Sequence, residues 1–185
     1  MIDATDLQDI QASLRGDGQA YARLVERYQN DIAGQMWRFT HDRAVLEELV
    51  HDVFVEAYMS LRSFRGSSPL LHWLRRIATR AGYRYWRNQK RQKAHQVVLQ
   101  DWDEVVGQQD RSMEQQQASE LLERVMSQLS PADRLVLTLL HLEELSVAQV
   151  AQQTGWSQVG VKVRAHRARK KLKVLLEKRQ QADVE

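Results

Sequence analysis

The stretch SPADRLVLTLLHLEELSVAQVAQQTGWSQVGVKVRAHRARKKLK, residues 130–173, predicts three helices separated by two short breaks. Ser130 is a good N-cap, Pro131 suits the first helical position, and the Asp133 side chain can reach back to the cap. Apolar residues at helical spacing follow, namely Leu135, Val136, Leu139 and Leu140. The opening of the stretch therefore predicts an amphipathic helix capped at Ser130.

The second and third predicted helices are joined by a tight turn. Ser146 and Gln149 have the spacing of a capping box, in which each side chain accepts from the other residue's backbone N–H. Gly155 breaks that helix, because glycine supplies the backbone freedom that a tight turn needs, and Ser157 caps the next helix. This order of elements predicts a helix-turn-helix.

The third predicted helix is strongly basic. From Ser157 to Lys173 it has no acidic residue and seven cationic ones, which are Lys162, Arg164, Arg167, Arg169, Lys170, Lys171 and Lys173. A helix that enters the major groove places its N-terminal half at base edges and its flanks at phosphates. The pattern favours DNA binding; the alternative is a solvated basic helix at the end of an ordinary bundle.

Composition excludes several classes of protein. The 185 residues are 28% charged and 43% apolar, which is typical of a globular chain. The absence of cysteine excludes a disulfide scaffold and a cysteine-ligated zinc site, and it suits a reducing compartment. The first residues include acids where a signal peptide has bases, and no apolar run approaches the ~20 residues of a membrane span. We therefore expect a cytoplasmic protein without membrane insertion.

Charge is segregated along the chain. Residues 1–61 hold eleven acids and five bases, and residues 62–93 hold ten bases and no acid. Residues 94–120 hold six acids and one base, whereas residues 157–185 hold nine bases and three acids. Two basic blocks separated by acidic ones predict two nucleic-acid contacts and at least one surface that faces something else.

The N-terminal part predicts several amphipathic helices. We expect a helix over 5–15 with Leu7, Ile10 and Leu14 on one face, a second from residue 17 or 18 to 28, and a third over 31–39. The strongest apolar periodicity spans 42–62. Its opposite face carries Glu48, Asp52, Val55, Glu56 and Met59. That face is either a solvated surface or a docking surface for a basic protein partner.

Residues 63–69 have the composition of a loop, and a helix is predicted from about residue 70 to 92. This helix mixes aromatic with basic residues, a combination that suits single-stranded or melted DNA because bases stack while cations follow phosphates. Trp73 and Ile77 share a face with apolar neighbours and are expected in the core. Tyr83, Tyr85 and Trp86 cannot all point inward, so at least one is expected to be exposed.

Apolar periodicity fades over 94–119, which we interpret as a mostly extended, acidic linker, and helices are expected to resume at Glu120. No catalytic constellation is evident: the six histidines form no i, i+4 pair, and there is no glycine-rich phosphate loop. No metal site, cofactor or enzymatic activity is therefore expected.

Several stretches, in their order and spacing, resemble the extracytoplasmic function (ECF) group of RNA polymerase sigma factors. They are GQAYARLVERY (18–28), LEELVHDVFVEAY (46–58), WLRRIA (73–78), LSPADR (129–134), LSVAQVA (145–151) and VKVRAHRAR (161–169). The resemblance covers about 15–93 and 118–178. It implies an all-α fold of two small helical domains, with sigma region 2 in 1–93, a flexible acidic linker in 94–119, region 4 in 120–179 and a tail in 180–185.

The resemblance also implies three binding surfaces. Core RNA polymerase would dock on the face formed by Glu48, His51, Asp52, Val55 and Glu56. The promoter −10 element would be melted and held by Phe64, Arg65, Arg76, Arg80, Tyr83, Arg84, Trp86 and Arg87. The −35 element would be read by Ser157, Gln158, Lys162, Val163, Arg164, His166, Arg167 and Lys170. The linker would thread the polymerase channel, and an anti-sigma factor would hold the protein inactive.

Five positions depart from the family pattern. The family often has Gln at His51, Asn at Arg80 and Asp at Arg84, so a −10 base contact carried over to Arg80 is in doubt. It commonly has Thr at Gly160 and Ser at Val163, and this chain therefore lacks two hydroxyl groups on its recognition helix. The −35 preference cannot be copied from relatives.

Two alternatives stay open on the sequence. A stand-alone helix-turn-helix regulator that binds duplex DNA as a dimer accounts for residues 130–173 but not for the basic-aromatic block at 62–93. A sigma-like protein that has lost promoter function and only titrates a partner accounts for the departures from the family pattern.

Overall fold

The computed structural model describes the backbone of residues 2–95 and 113–182. It describes the side chains of residues 2–92 and 120–178. The chain divides into two compact units, Met1–Val97 and Val98–Glu185. The first contains helices α1 (Ala4–Leu14), α2 (Gly18–Met36), α3 (Arg43–Ser60) and α4 (Leu70–His95), with a 3₁₀ turn at Leu61–Ser63. The second contains α5 (Met113–Gln128), α6 (Pro131–Leu137) continued by a π-helical turn (Thr138–Leu142), α7 (Val147–Thr154) and α8 (Gln158–Ala182). The described residues contain no strand, which confirms the all-α prediction.

Helix α2 replaces the two helices that were expected between residues 17 and 39. Asp17 caps it by accepting from the backbone N–H groups of Gln19 and Ala20. The buried residues Ala20, Leu24, Ile32 and Met36 lie four or eight positions apart, so one apolar stripe continues across the expected break. The chain carries no proline there to interrupt the helix.

Three boundaries near the predicted linker and tail also differ. Helix α4 continues to His95, and α5 begins at Met113 rather than at residue 120. Helix α8 runs to Ala182, so the predicted tail begins within a helix. The expectation of an extended linker over 96–112 lies outside the described residues.

Helix α1 does not bury the face that its apolar pattern predicts. The prediction is wrong for two of the three residues on that face. Leu7 and Leu14 are each 41% exposed, whereas Asp6 and Asp9 are only 2% and 4% exposed beside Ile10. A buried carboxylate is costly unless it is paired and hydrogen-bonded, so the partners of these two acids decide how α1 packs.

Those partners come from α2. Arg27 donates to Asp6 and, at 2.9 Å, to Oδ2 of Asp9, while Arg23 donates to Oδ1 of Asp9 at 2.7 and 2.9 Å. The hydroxyl of Tyr28 donates to the second oxygen of Asp6. Burial alone would raise the pKa of Asp9, but the hydrogen bonds from Arg23 and Arg27 outweigh it and lower that pKa. Helix α1 is therefore held by charge-assisted hydrogen bonds as well as by Ile10.

In the first unit, α4 packs closely against the turn that follows α2. Gly82 faces Phe39, and a Cβ at this glycine would overlap the atoms of the Phe39 ring. The same ring lies 4.5 Å, centroid to centroid, from the ring of Trp86, whose indole N–H donates to the Phe39 carbonyl at 2.8 Å. Position 82 therefore requires glycine, because any larger residue would overlap the ring of Phe39.

We expect Gly82→Ala to destabilise the protein by about 1–3 kcal/mol, because the added methyl group overpacks against Phe39. Gly34→Ala is the matched control: Gly34 also lies inside a helix, but no atom would meet its Cβ within 4 Å. Its replacement should stabilise the protein by about 0.5–1 kcal/mol through helix propensity. Urea unfolding of the full chain measures both, and an equal effect of the two substitutions would contradict the packing described.

We expect Asp9→Asn to lower the free energy of unfolding at neutral pH by about 1–3 kcal/mol, since its three hydrogen bonds from Arg23 and Arg27 lose their charge assistance. Because the folded-state pKa of Asp9 is lowered, its contribution is complete above the unfolded pKa of ~3.9 and disappears as pH falls through the folded pKa. The difference between wild type and variant should therefore shrink in acid.

The control for Asp9 is Asp31→Asn. Asp31 pairs with Arg75 at 3.3 Å, and the two side chains are 42% and 39% exposed, so this pair is worth at most about 1 kcal/mol. Urea unfolding between pH 3 and pH 7 measures both variants. A pH-independent loss in Asp9→Asn would show that the carboxylate does not contribute through its charge.

Candidate nucleic-acid interfaces

Helix α4 has one apolar face and one cationic face. Leu70, Leu74, Ile77 and Ala81 are between 1% and 4% exposed and form its buried stripe. Arg76, Arg80, Arg84 and Arg87, all predicted to bind the −10 element, lie outside this stripe, and all four are exposed. The structure therefore places these cations where they could meet a polyanion.

Trp86 is a correction to the predicted −10 residues. It is 3% exposed, packs on Phe39 and donates its indole N–H to a backbone carbonyl. A ring that is enclosed in this way offers no face to a base. Tyr83 is half-buried, and the guanidinium of Arg87 lies 5.8 Å from its ring centroid, so these two residues form a joint aromatic and cationic surface instead.

A second aromatic pair lies where the 61–69 segment meets the start of α4. The rings of Phe64 and Trp73 lie 5.3 Å apart between centroids. Phe64 is half-buried, and so is Trp73, which is expected in the core on its sequence pattern. Arg65, which follows Phe64, is exposed. The loop therefore presents a cation beside a partly open aromatic pair.

Helix α3 presents the face that was predicted to dock a basic partner. Glu48, His51, Asp52 and Val55 are exposed, and Met59, one turn beyond Val55, is 80% exposed. A groove of about 670 Å³ between α2 and α3 adjoins this face. Its walls are mainly apolar and include Tyr21, Val25, Leu46, Val50, Phe54 and Tyr58. Acids and accessible apolar side chains are therefore combined on one surface.

Glu56 differs from the other residues of that predicted face. Its carboxylate accepts from Arg84 at 2.5 Å through Oε2 and from Arg80 at 3.3 Å through Oε1. The Glu56 side chain is 31% exposed and the two arginines are about half exposed. Glu56 therefore links the acidic helix α3 to the basic helix α4 instead of standing outward with Asp52.

The predicted helix-turn-helix is confirmed in α7 and α8. Ser146 and Gln149 form both bonds of the capping box, and Gly155 ends α7 with a φ of 78°, in the left-handed region. The Ser157 hydroxyl accepts from the N–H of Gly160 at 3.0 Å and so caps α8. The local signals in the sequence specify this part of the fold.

Helix α8 is held against the rest of its unit by small apolar residues and by one buried acid. Val161, Ala165 and Ala168 are at most 3% exposed. Asp133 of α6 is 4% exposed and accepts from Nζ of Lys171 at 2.6 Å. Burial opposes the ionisation of Asp133, but hydrogen bonds from Lys171 and Ser130 prevail and lower its pKa.

Most of the predicted −35 residues lie at the exposed start and side of α8. The exposed ones are Ser157, Gln158, Lys162, Val163, His166, Arg167 and Lys170. Arg164 is half-buried, and its guanidinium lies 4.6 Å from the ring centroid of Trp156, a contact that holds it beside the turn. Val159, which the prediction omitted, is 71% exposed. From the sequence, the exposure of Val159 could have been inferred only from its position in the helical repeat.

Within residues 2–95 and 113–182, no group of histidine and acidic residues could hold a metal ion. In the same part of the chain, no helix is both long and apolar enough to cross a membrane.

Comparison with known families matches each unit separately. Residues 24–92 match the model described as "Sigma-70 region 2", and residues 119–172 match "Sigma-70, region 4". Over 174 residues the chain is 33% identical to the ECF RNA polymerase sigma-E factor of Haemophilus influenzae, a match that spans 89% of this chain and 92% of that relative. It is 29% identical to the RNA polymerase sigma factor YlaC of Bacillus subtilis over 152 residues, which span 81% of this chain and 88% of that relative.

Solved structures share the fold. The structure titled "Structure of CnrH in complex with the cytosolic domain of CnrY" aligns with a TM-score of 0.60 at 24% identity and covers 95% of this chain and 98% of that one. The sigma factor RpoE of Bartonella quintana, solved in complex with the anti-sigma factor NepR, aligns with a TM-score of 0.61 at 22% identity, covering 85% of this chain and 96% of that one.

The chain belongs to the ECF group of RNA polymerase sigma factors. As a sigma factor, it binds core RNA polymerase and directs promoter recognition and the initiation of transcription.

Glu56→Gln should strengthen binding of the −10 strand, because it frees the guanidinium groups of Arg80 and Arg84 for phosphates. With core polymerase saturated, the plot of log affinity against log salt for a single-stranded −10 oligonucleotide should steepen by about 0.7 for each additional phosphate that an arginine neutralises. The pairs are partly exposed, so the free energy of unfolding should change by less than about 1 kcal/mol.

Glu47→Gln is the matched control for this measurement. It removes the same charge from α3, but Glu47 pairs with Arg43 of its own helix at 3.2 Å. If both variants bound the oligonucleotide equally more tightly, the effect would come from net charge and not from the release of Arg80 and Arg84.

Proposed function

We propose a division of labour among three faces of this sigma factor. The exposed face of α3 docks on core polymerase, the cationic face of α4 with the 64–69 loop holds the melted −10 strand, and α8 reads the −35 duplex. The observation that carries the proposal is the segregation of charge, since two cationic helix faces lie in separate units and α3 exposes acids.

Docking on core polymerase is assigned to Glu48, His51, Asp52 and Val55. Three of these side chains are polar or acidic, and Val55, 43% exposed, provides apolar area next to the α2–α3 groove. Such a face suits a basic partner that also has apolar side chains, because a polar rim around an apolar contact is typical of protein interfaces. Glu56 contributes less here, because its carboxylate is engaged by α4.

The −10 strand is assigned to Phe64, Arg65, Arg76, Arg80, Tyr83, Arg84 and Arg87. Accessible guanidinium groups can follow the phosphates, while Tyr83 and the Phe64–Trp73 pair offer ring surface to unstacked bases. A stacked base contributes about 1–3 kcal/mol, which is comparable with the cost of unstacking it from the duplex. Cations and rings on one face therefore favour the melted strand over the duplex.

The −35 element is assigned to the N-terminal half of α8. In a helix-turn-helix, the first residues of the second helix reach base edges and its flanks reach phosphates. The residues assigned to base edges are Ser157, Gln158, Lys162, Val163 and His166. Those assigned to phosphates are Arg167 and Lys170. Arg164, which stacks on Trp156, supports the turn.

An anti-sigma factor is proposed as the regulator. The similar sigma factor of Bartonella quintana was solved with such a partner. In this chain the apolar groove between α2 and α3 offers a site for it, and occupation of that groove would also cover the docking face for core polymerase. Nucleotide chemistry would reside in core polymerase and not in this chain.

Transcription in vitro tests this function. Core polymerase, with and without the chain, is supplied with a library of random promoter sequences, and the 5′ ends of the transcripts are sequenced. Start sites that appear only with the chain, preceded by two common elements, are expected. A chain that binds duplex DNA as a dimer without core polymerase, and yields no start sites, would instead support the stand-alone regulator.

Asp52→Arg tests the docking face in a binding titration with core polymerase. It should weaken binding to core polymerase at least about tenfold, because a reversed charge then faces a basic partner. Glu26→Arg is the control, since it makes the same reversal at an exposed position of α2, outside the proposed docking face of α3. Equal loss in both variants would show that net charge, not this face, governs docking.

A further inference from the structure

Two exposed valines lie in the middle of the cationic face of α8. Val159 is 71% exposed and Val163 is 44% exposed. At about 100° per residue, both lie about 160° away from the buried Val161, on the side opposite the core. Their neighbours on that side are Lys162, His166, Arg167 and Lys170, all exposed.

Neither folding nor helix stability explains these two side chains. Exposed β-branched residues restrict χ1 in a helix and have lower helix propensity than alanine. Single exposed apolar residues are ordinary on protein surfaces, but these two are one turn apart and adjacent on the same face. An apolar strip within a cationic surface is informative about what that surface contacts.

Gly160, between the two valines, adds a second observation. It is exposed, and its N–H bonds the Ser157 cap, so it lies in the first turn of α8. A Cβ at this position would lie 3.0 Å from the hydroxyl oxygen of Ser157, so the absence of a side chain also leaves room for the cap. Without a side chain at position 160, the first turn can approach a groove floor more closely than a bulkier residue would allow.

The chemical groups exposed in the major groove limit what a valine side chain can contact there. Valine has no donor or acceptor, so it leaves the polar edges of guanine, cytosine and adenine unpaired. The one apolar group on the groove floor is the 5-methyl group of thymine. Four helical residues rise about 6 Å and successive bases about 3.4 Å, so two valines spaced this way reach bases within about two steps of each other.

We propose that Val159 and Val163 read the 5-methyl groups of two nearby thymines in the −35 element. The inference rests on the proposed role of α8 at that element. These two valines would then determine sequence preference, while the cations around them provide affinity for phosphates. The two hydroxyl groups that the family commonly carries at positions 160 and 163 would be replaced by a reading through shape and apolar contact.

Deoxyuridine substitution provides a direct test, because uracil lacks only the methyl group and keeps the hydrogen-bonding edge of thymine. In a promoter obtained with full-length chain and core polymerase, each −35 thymine is replaced singly by deoxyuridine. Open-complex formation should fall about fourfold at one or two positions within two steps of each other, the effect of one buried methyl group.

Alanine variants connect the effect to the side chains. Val159→Ala and Val163→Ala should each weaken open-complex formation on the thymine promoter and abolish the uracil effect at one position. Val174→Ala, which alters a 43% exposed valine far along the same helix, should keep the full uracil effect. Retention of the uracil effect in both test variants, or its absence in the wild type, would overturn the proposal.

These outcomes are distinguishable from failure of the proposed function. If the chain directs core polymerase to specific start sites but tolerates uracil throughout the −35 element, only the role of the valines is rejected. If no start sites depend on the chain, the role of α8 at a −35 element fails, and this inference fails with it.

Discussion

The ion pairs from Glu56 to Arg80 and Arg84 connect helix α3, which is proposed to dock on polymerase, with helix α4, which is proposed to bind DNA. Residues 62–93 contain no acid, so the cations of α4 can be balanced only by acids of other segments. Glu56 of α3 supplies one such acid and Asp31 of α2 another, opposite Arg75. The helix proposed to dock on polymerase therefore also neutralises part of the helix proposed to bind DNA, and Arg80 or Arg84 must exchange partners to bind a phosphate.

Cationic helices can fold here because each has a narrow apolar stripe. In α4 the stripe includes Gly82, where the absence of a side chain admits the ring of Phe39, and Trp86. In α8 it consists of small residues, including Ala165 and Ala168. Burial on one side leaves the opposite side free of structural demands, and that freedom allows Val159 to stand exposed in a cationic surface.

Features encoded by neighbouring residues were predictable, while those that depend on distant partners were not. The capping box at Ser146 and the turn at Gly155 have local signals, and the structure contains both. Glu56 bonds a residue 28 positions away, and Trp86 one that is 47 positions away, so spacing along the helix could not reveal either role. The burial of Asp6 likewise depends on Tyr28, 22 positions on. The burial of Trp86 and of Asp6 arises from tertiary pairing that overrides an amphipathic pattern.

Photocrosslinking measures directly whether α3 faces polymerase while α4 faces DNA. A benzophenone amino acid replaces either Met59, 80% exposed beside Val55, or Arg87, exposed beside Tyr83. Each variant is assembled with core polymerase and promoter and then irradiated. We predict that position 59 crosslinks to a polymerase subunit and position 87 to the non-template strand. Crosslinking of position 59 to DNA, or of position 87 to polymerase alone, would contradict this division of the two faces.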